Sequence, residues 1–299
     1  FLYMKKSIFL TLLSCLILIS CNNENNTSSV SSSLSSIHSN TSTEFNYKAQ
    51  YSEVNYNKNE ELTYISNITN SEKHLTIHYP LNYSKDQFYP VLFLLHGMLN
   101  DHNSWFSLCS ADTIIDNVSY FFNKKEFLTI SINSKINVGE VEPAMFSEEY
   151  AQIYDLTGQE IIESVIPFLK DNFNILTGKD NFAICGFSMG GRESLLTAFS
   201  YQNYFSYIGA FSSASMYKNV FSFNGGEKVL DDFIIDENST GFKYILLTTG
   251  KSDFMTNETK DYSNMMSKNS IEHTLLTLNG GHDYSVWSES LFEFVKNIF

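Results

Sequence analysis

The chain has 299 residues, of which 43% are hydrophobic and only 4 are proline, enough for one large α/β domain and unlike a fibrous or wholly disordered chain. Its formal net charge is −14, with no lysine or arginine cluster in the body of the chain, which excludes the clustered basic surface that nucleic-acid binding requires. The four cysteines, Cys15, Cys21, Cys109 and Cys185, form no CxxC pair and no His/Cys cluster of metal-ligand spacing, so a structural zinc site is not supported.

Met4-Lys5-Lys6 precedes an apolar run over residues 8–19, too short for a comfortable membrane span. A basic start, a short apolar core and Ser20-Cys21 read as a secretory signal, with residues 1–3 expected upstream of the true start. Leu18-Ile19-Ser20-Cys21 resembles the bacterial lipobox, which implies that Cys21 is lipidated and becomes the mature N-terminus. Residues 1–21 are thus the expected signal peptide. Residues 22–48, mostly Asn, Ser and Thr, are the expected disordered tether, too polar to offset the entropy of ordering. Residues 49–299 form the expected folded domain, held by its lipid on the extracytoplasmic cell surface.

Residues 61–66 and 73–79 alternate polar and apolar, which predicts an antiparallel hairpin at a sheet edge. Residues 90–97 are continuously apolar up to His96-Gly97, the pattern of a central parallel strand covered on both faces. The backbone N–H groups of Gly97 and Met98, in the loop that follows, are candidate oxyanion donors, and His96 is expected to order that loop. A helix over 110–123, a strand over 127–132 and a loop over 133–147 carrying Met145 and Phe146 come next. A helix over 157–172 shows one apolar face of Ile161, Ile162, Val165, Ile166, Phe168 and Leu169.

Residues 181–185 form a short apolar strand leading into Gly186-Phe187-Ser188-Met189-Gly190, after which a helix starts. Gly-x-Ser-x-Gly between strand and helix is the nucleophile elbow, a turn tight enough to lift a serine hydroxyl clear of the sheet. A Cβ at Gly186 or Gly190 would collide with the neighbouring strand or helix, and the first helical turn aims free N–H groups at the serine. Cys185 is expected in the buried strand as a small hydrophobe, with a bridge to Cys109 left open.

A strand over 207–212 leads to the irregular stretch 216–241, which would suit a lid or pocket wall. A buried strand over 243–250 ends in Lys251-Ser252-Asp253, a helix follows near 258–268, and a strand over 273–278 exits into Gly280-Gly281-His282-Asp283. A helix over 285–298 closes the domain. Alternation of strands and helices with right-handed crossovers predicts a mostly parallel, doubly wound α/β sheet.

Reacting groups in such sheets gather outside the carboxyl ends of the strands, and Ser188, Asp253 and His282 each follow a predicted buried strand. A serine hydroxyl needs an imidazole to accept its proton, and the imidazole needs a carboxylate to fix its tautomer. These three residue types, in this order, are what acyl transfer requires. Asp283 competes for the acid role, but adjacency to His282 points it elsewhere.

The motifs Leu94-Leu95-His96-Gly97, Trp105, Gly186-Phe187-Ser188-Met189-Gly190-Gly191 and Gly280-Gly281-His282-Asp283-Tyr284-Ser285-Val286-Trp287 resemble the esterase D / feruloyl esterase family, carbohydrate esterase family 1. The similarity runs from about residue 60 to the C-terminus. It implies an α/β-hydrolase fold, cofactor-free ester hydrolysis and a Ser–His–Asp triad on Ser188, His282 and Asp253. It further implies oxyanion N–H groups from Met189 and the Gly97/Met98 turn. The loop around 140–147 and the stretch 216–241 match no pattern of the family, and acyl specificity would be set there. The expected substrate is a feruloyl ester on plant cell-wall polysaccharide, with the aromatic residues Trp105, Phe106, Phe146, Tyr217 and Trp287 suited to a flat phenolic acyl group. Acetylxylan or siderophore esters are the alternatives within this chemistry. A catalytically silent carbohydrate-binding lipoprotein and a cytosolic thioesterase or formylglutathione hydrolase are those outside it.

Overall fold

The structure, a computed structural model, describes residues 45–221 and 225–299. The signal peptide, Cys21 and the tether up to residue 44 lie outside the described residues. Residues 45–48, expected in the tether, belong instead to the domain, a single compact unit over Phe45–Phe299. Aromatic packing explains the shift, because Tyr47 stacks on Phe292 at 4.6 Å and Phe45 meets Phe121 edge-on at 5.3 Å.

Eight strands form one sheet: β1 (Asn59–Ser66), β2 (Ser71–His78), β3 (Val91–Leu95), β4 (Leu128–Ile132), β5 (Phe182–Phe187), β6 (Tyr207–Phe211), β7 (Tyr244–Gly250) and β8 (Thr274–Leu278). Their spatial order is β1-β2-β4-β3-β5-β6-β7-β8. The pairs β1/β2 and β2/β4 are antiparallel and the remaining pairs are parallel. The expected edge hairpin and parallel body are both present.

Because side chains alternate across a strand, each central strand feeds two cores. Val91, Phe93 and Leu95 of β3, with Phe182 and Ile184 of β5, face one side. Leu92 and Leu94, with Ala183, Cys185 and Phe187, face the other. Cys109 and Cys185 are both buried free thiols.

The helices depart from expectation in informative places. The helix expected over 110–123 is α2 (Ala111–Phe121), and a further helix, α1 (Ser104–Cys109), precedes it, the two broken at Ser110 in the left-handed conformation (φ 57°). An additional helix, α3 (Glu148–Asp155), is capped by Ser147, whose hydroxyl accepts from the Tyr150 N–H. The long run 157–172 divides into α4 (Thr157–Glu160), a π turn (Ile161–Val165) and α5 (Ile166–Asn172). Pro167 accounts for the irregularity: it has no N–H to offer the Glu163 carbonyl, which accepts from Asn67 Nδ2 at 2.5 Å instead. Helices α6 (Met189–Ser200), α7 (Thr256–Lys268) and α8 (Tyr284–Val295) follow among the described residues.

Strand β8 is a half-exposed edge rather than a buried strand. The stretch 216–241 forms neither helix nor strand among its described residues, and it is not a single lid. Its first part turns back on itself through a Tyr217–Lys228 bridge, whereas Phe233 is fully buried against Phe199 and Tyr262.

Candidate active site

The loops at the carboxyl ends of β5, β7 and β8 bring Ser188, Asp253 and His282 together. Ser188 sits at φ 55°, ψ −116°, a conformation costly for a residue with a Cβ. Backbone hydrogen bonds hold it there: its N–H donates to the Phe211 carbonyl at 2.8 Å, and its carbonyl accepts from Ala214 and Gly191. The turn closes only because Gly190 has no side chain, since a Cβ there would lie 2.2 Å from the Leu95 carbonyl oxygen.

His282 Nε2 lies 2.9 Å from Ser188 Oγ, and its Nδ1 lies 3.0 Å from Asp253 Oδ1. An ionised carboxylate only accepts, so Nδ1 carries the hydrogen and Nε2 is left bare to accept from the serine hydroxyl. Burial pushes the Asp253 carboxyl up. Hydrogen bonding and charge from His282, the Ser212 hydroxyl and the Met255 N–H outweigh burial and hold it below the usual carboxylate range. Met255 N–H donates to Oδ1 at 2.7 Å, the oxygen that also takes His282. Asp283 is engaged elsewhere, capping α8 through the Ser285 and Val286 N–H groups.

An aromatic stack supports the imidazole. Trp287 stands perpendicular to His282 at 5.0 Å and stacks on Phe187 at 4.2 Å, and Phe187 meets Trp105 edge-on at 4.8 Å. This corrects the expected substrate contacts. Trp105 has 0% and Trp287 5% of its surface exposed, so both offer their faces to the fold rather than to a ligand. Trp105 Nε1–H donates to the Leu95 carbonyl at 3.0 Å, which consumes its polar atom as well. Phe146 meets Phe221 edge-on at 5.3 Å, and Tyr217 carries Lys228 Nζ 5.4 Å from its ring centroid.

The residues near Ser188 that sequence reading missed come from α3. Tyr150, Ile153, Tyr154, Met189, Ala214 and Val220 form one apolar cluster, against which Met98, Phe221 and Met255 pack. The i, i+4 spacing of Tyr150 and Tyr154 was the available signal. The N–H groups of Met189 and Gly190, in the first turn of α6, have no carbonyl of their own helix to bond. Across the site, residues 97–100 form a turn in which the Asn100 N–H donates to the Gly97 carbonyl at 3.2 Å and Leu99 takes φ 69°. Met98 of that turn packs against the cluster that holds Met189. Backbone donors on a turn and a helix end, where they meet at one hydroxyl, are the arrangement that stabilises an oxyanion.

His96 fastens this turn. Its Nδ1–H donates to the Gly97 carbonyl at 2.7 Å, and its Nε2 accepts from the Ser134 N–H at 3.1 Å. Both ring nitrogens are thus occupied in the neutral form, as expected for an ordering residue rather than a base. Full burial is the main cause that pushes the His96 pKa down from 6.5 to about 4. The folded protein then binds fewer protons at this site than the unfolded chain does between pH 6.5 and 4. Stability from His96 is complete above pH 6.5 and is lost as pH falls towards 4, by about 2 to 3 kcal/mol at pH 4.5. Urea unfolding at pH 7.5 and 4.5 checks this, with His96→Gln expected to lack that part of the acid-side loss.

A buried ion cluster lies behind the elbow. Arg192 donates to Asp155 and Glu193, and its Nε–H donates to the Ser215 carbonyl at 2.8 Å. Burial pushes the Glu193 carboxyl well up, and the Arg192 charge opposes that shift. The cluster ties α3, α6 and the segment after β6, three elements that frame Ser188.

Chemically, a hydroxyl, a bare imidazole nitrogen and a carboxylate in series, beside the free N–H groups of a helix start, are equipped for acyl transfer. Comparison with known proteins agrees. The Esterase family model matches residues 66–298. An acetyl esterase of Caldicellulosiruptor saccharolyticus is 25% identical over 237 residues, 70% of this chain and 84% of that protein. An endo-1,4-beta-xylanase/feruloyl esterase of Xylanibacter ruminicola is 22% identical over 261 residues, 85% of this chain but only 33% of that longer protein. Among solved structures, a CE1 ferulic acid esterase of Anaeromyces mucronatus superposes with a TM-score of 0.76 at 25% identity, covering 84% of this chain and 94% of that one. Its complex with ferulic acid superposes with a TM-score of 0.74 at 26% identity, covering 85% and 94%. The eight-stranded sheet and its helices are therefore an α/β-hydrolase fold, and the chain belongs to the Esterase family as a carboxylic ester hydrolase.

Proposed function

We propose that Ser188 is the nucleophile, His282 its general base and Asp253 the carboxylate that orients the imidazole, in hydrolysis of hydroxycinnamoyl esters on plant cell-wall polysaccharide. The observation that carries the reading is the unbroken series Asp253 Oδ1–His282–Ser188 Oγ, at 3.0 and 2.9 Å. Ser188 Oγ attacks the ester carbonyl as its proton passes to His282 Nε2, and the carbonyl oxygen takes the negative charge facing the Met189 and Met98 N–H groups. Collapse breaks the bond to the alcohol oxygen, which receives the proton from Nε2 and leaves an acyl-serine. A water then attacks this ester as its proton passes to the same nitrogen, and collapse breaks the acyl–Oγ bond, releasing the acid and returning the proton from Nε2 to Ser188 Oγ.

The half-buried Met98 and Phe221, packed against the cluster of Tyr150, Met189 and Val220, support a flat acyl group on the oxyanion side, with Phe146 edge-on to Phe221 at its margin. The ferulic acid complex of a structural neighbour supports the same class. An acetyl ester is the second reading, favoured by the acetyl esterase relative. Hydrolysis of methyl ferulate, methyl p-coumarate and acetylated xylan side by side tests the choice. A kcat/KM on the phenolic esters far above that on acetylated xylan is the expected result, and the reverse order overturns the feruloyl assignment.

The lipobox-like Leu18-Ile19-Ser20-Cys21 supports a lipid-anchored, extracytoplasmic protein, with the Asn/Ser/Thr-rich segment as its tether. Palmitate labelling of the membrane fraction, lost in Cys21→Ala, tests that placement.

A further inference from the structure

We infer that Phe254 walls the alcohol side of this site and takes a sugar ring of the leaving group, an assignment that rests on the esterase reading above. The proton delivered to the leaving oxygen comes from His282 Nε2, so that oxygen must come within hydrogen-bond reach of it, about 3 Å. Whatever the oxygen carries then leaves past the imidazole. The Phe254 ring packs against that imidazole: its centroid is 4.4 Å from that of His282, at an interplanar angle of 40°.

Phe254 nevertheless keeps 59% of its surface exposed. A single exposed phenylalanine needs no explanation in itself. This one stands against the reacting imidazole, and its backbone is set by two constrained neighbours. Asp253 before it is bound to His282, and the Met255 N–H after it donates to the same carboxylate oxygen. Ser252 and Asn257, close to Phe254 in the chain, are exposed as well. An exposed phenyl face fits the C–H face of a sugar ring, which stacks on it while the hydroxyls stay in water. A methyl or ethyl alcohol is too small to cover that face.

The test holds the acyl group constant and changes the alcohol. Wild type, Phe254→Ala and Phe254→Tyr are compared on methyl ferulate and on a feruloylated pentose oligosaccharide. Phe254→Ala is expected to raise KM for the sugar ester and lower its kcat/KM about tenfold, while the methyl ester changes by less than about twofold. Phe254→Tyr restores the sugar ester. Equal losses on both esters would make Phe254 a mere shield of His282, and no loss on either would remove it from the site; each overturns the inference. If the wild type hydrolyses neither feruloyl ester, the feruloyl assignment fails by itself. The same variants are then run on acetylated xylo-oligosaccharides against ethyl acetate, where the same split supports the subsite and its absence overturns it.

Discussion

Ser188→Ala is expected to lower kcat by about six orders of magnitude, with KM little changed. With Ser188 as the proposed nucleophile, removing its oxygen abolishes the acyl-enzyme route rather than weakening a step, and what remains is water attack assisted by the oxyanion donors. The fold should survive. The backbone bonds that hold residue 188 run through its N–H and carbonyl, to Phe211, Ala214 and Gly191, and none involves the hydroxyl. Loss of the hydrogen bond to His282 costs about 1 kcal/mol of stability at most. A companion variant reads the strain directly: at φ 55°, ψ −116° any Cβ is unfavourable, so Ser188→Gly should be more stable than Ser188→Ala by about 1 kcal/mol. Activity is measured on methyl ferulate and on an acetyl ester, adduct formation with a fluorophosphonate, and stability by urea unfolding. Retention of turnover or of the covalent adduct by Ser188→Ala would remove this serine from the mechanism.

The parallel strands were legible because burial on both faces imposes a continuous apolar run, as in residues 91–95 and 182–187. The proposed reacting residues were legible because each stands at a strand exit, where chain direction alone delivers it to one rim. Three things were hidden. The break between α1 and α2 rests on Ser110 in a left-handed conformation, which the sequence signals only when glycine occupies such a position. Trp105 and Trp287 have the composition of pocket walls, yet the close approach of Phe187 draws both into the stack beneath His282. The edge position of β8 depends on spatial strand order, which no local pattern carries. Phe254 left no signal either, since nothing in Asp-Phe-Met distinguishes a side chain that turns inward from one lying on an imidazole.

The buried arginine beside the elbow shows why so little of the site's rigidity is visible locally. Arg192 is fully buried with Glu193, and its guanidinium reaches Asp155 of α3 as well as the Ser215 carbonyl. Such a cluster is poor as a source of net stability, because removing charges from water offsets most of their attraction. Its geometry is more telling than its energy. Ala214, next to Ser215, donates its N–H to the Ser188 carbonyl, so the guanidinium fixes the segment that fixes the serine. Chain positions 155, 192 and 215 become neighbours only once the sheet is assembled.

Asp253→Ala is expected to lower kcat about four orders of magnitude, and Asp253→Asn ten- to a hundredfold less than that. The alanine variant strands the Met255 N–H and His282 Nδ1 and lets the imidazole choose either tautomer. Asparagine is different because of how the donors are arranged. The Met255 N–H and His282 Nδ1 both converge on Oδ1, whereas the Ser212 hydroxyl lowers the carboxyl pKa from beside it. Two donors demand an acceptor at the Oδ1 position, so the amide oxygen should settle there and turn its NH2 toward Ser212, whose hydroxyl oxygen can accept. His282 then keeps its hydrogen on Nδ1 and a bare Nε2 facing Ser188. What asparagine lacks is the negative charge that steadies the imidazolium after proton transfer, and its residual defect measures that charge alone. An Asp253→Asn enzyme as inactive as Asp253→Ala would mean that the amide has turned its NH2 to His282, and that Met255 does not govern its orientation. Pre-steady-state acylation rates on methyl ferulate, measured for both variants above pH 7, separate the two outcomes.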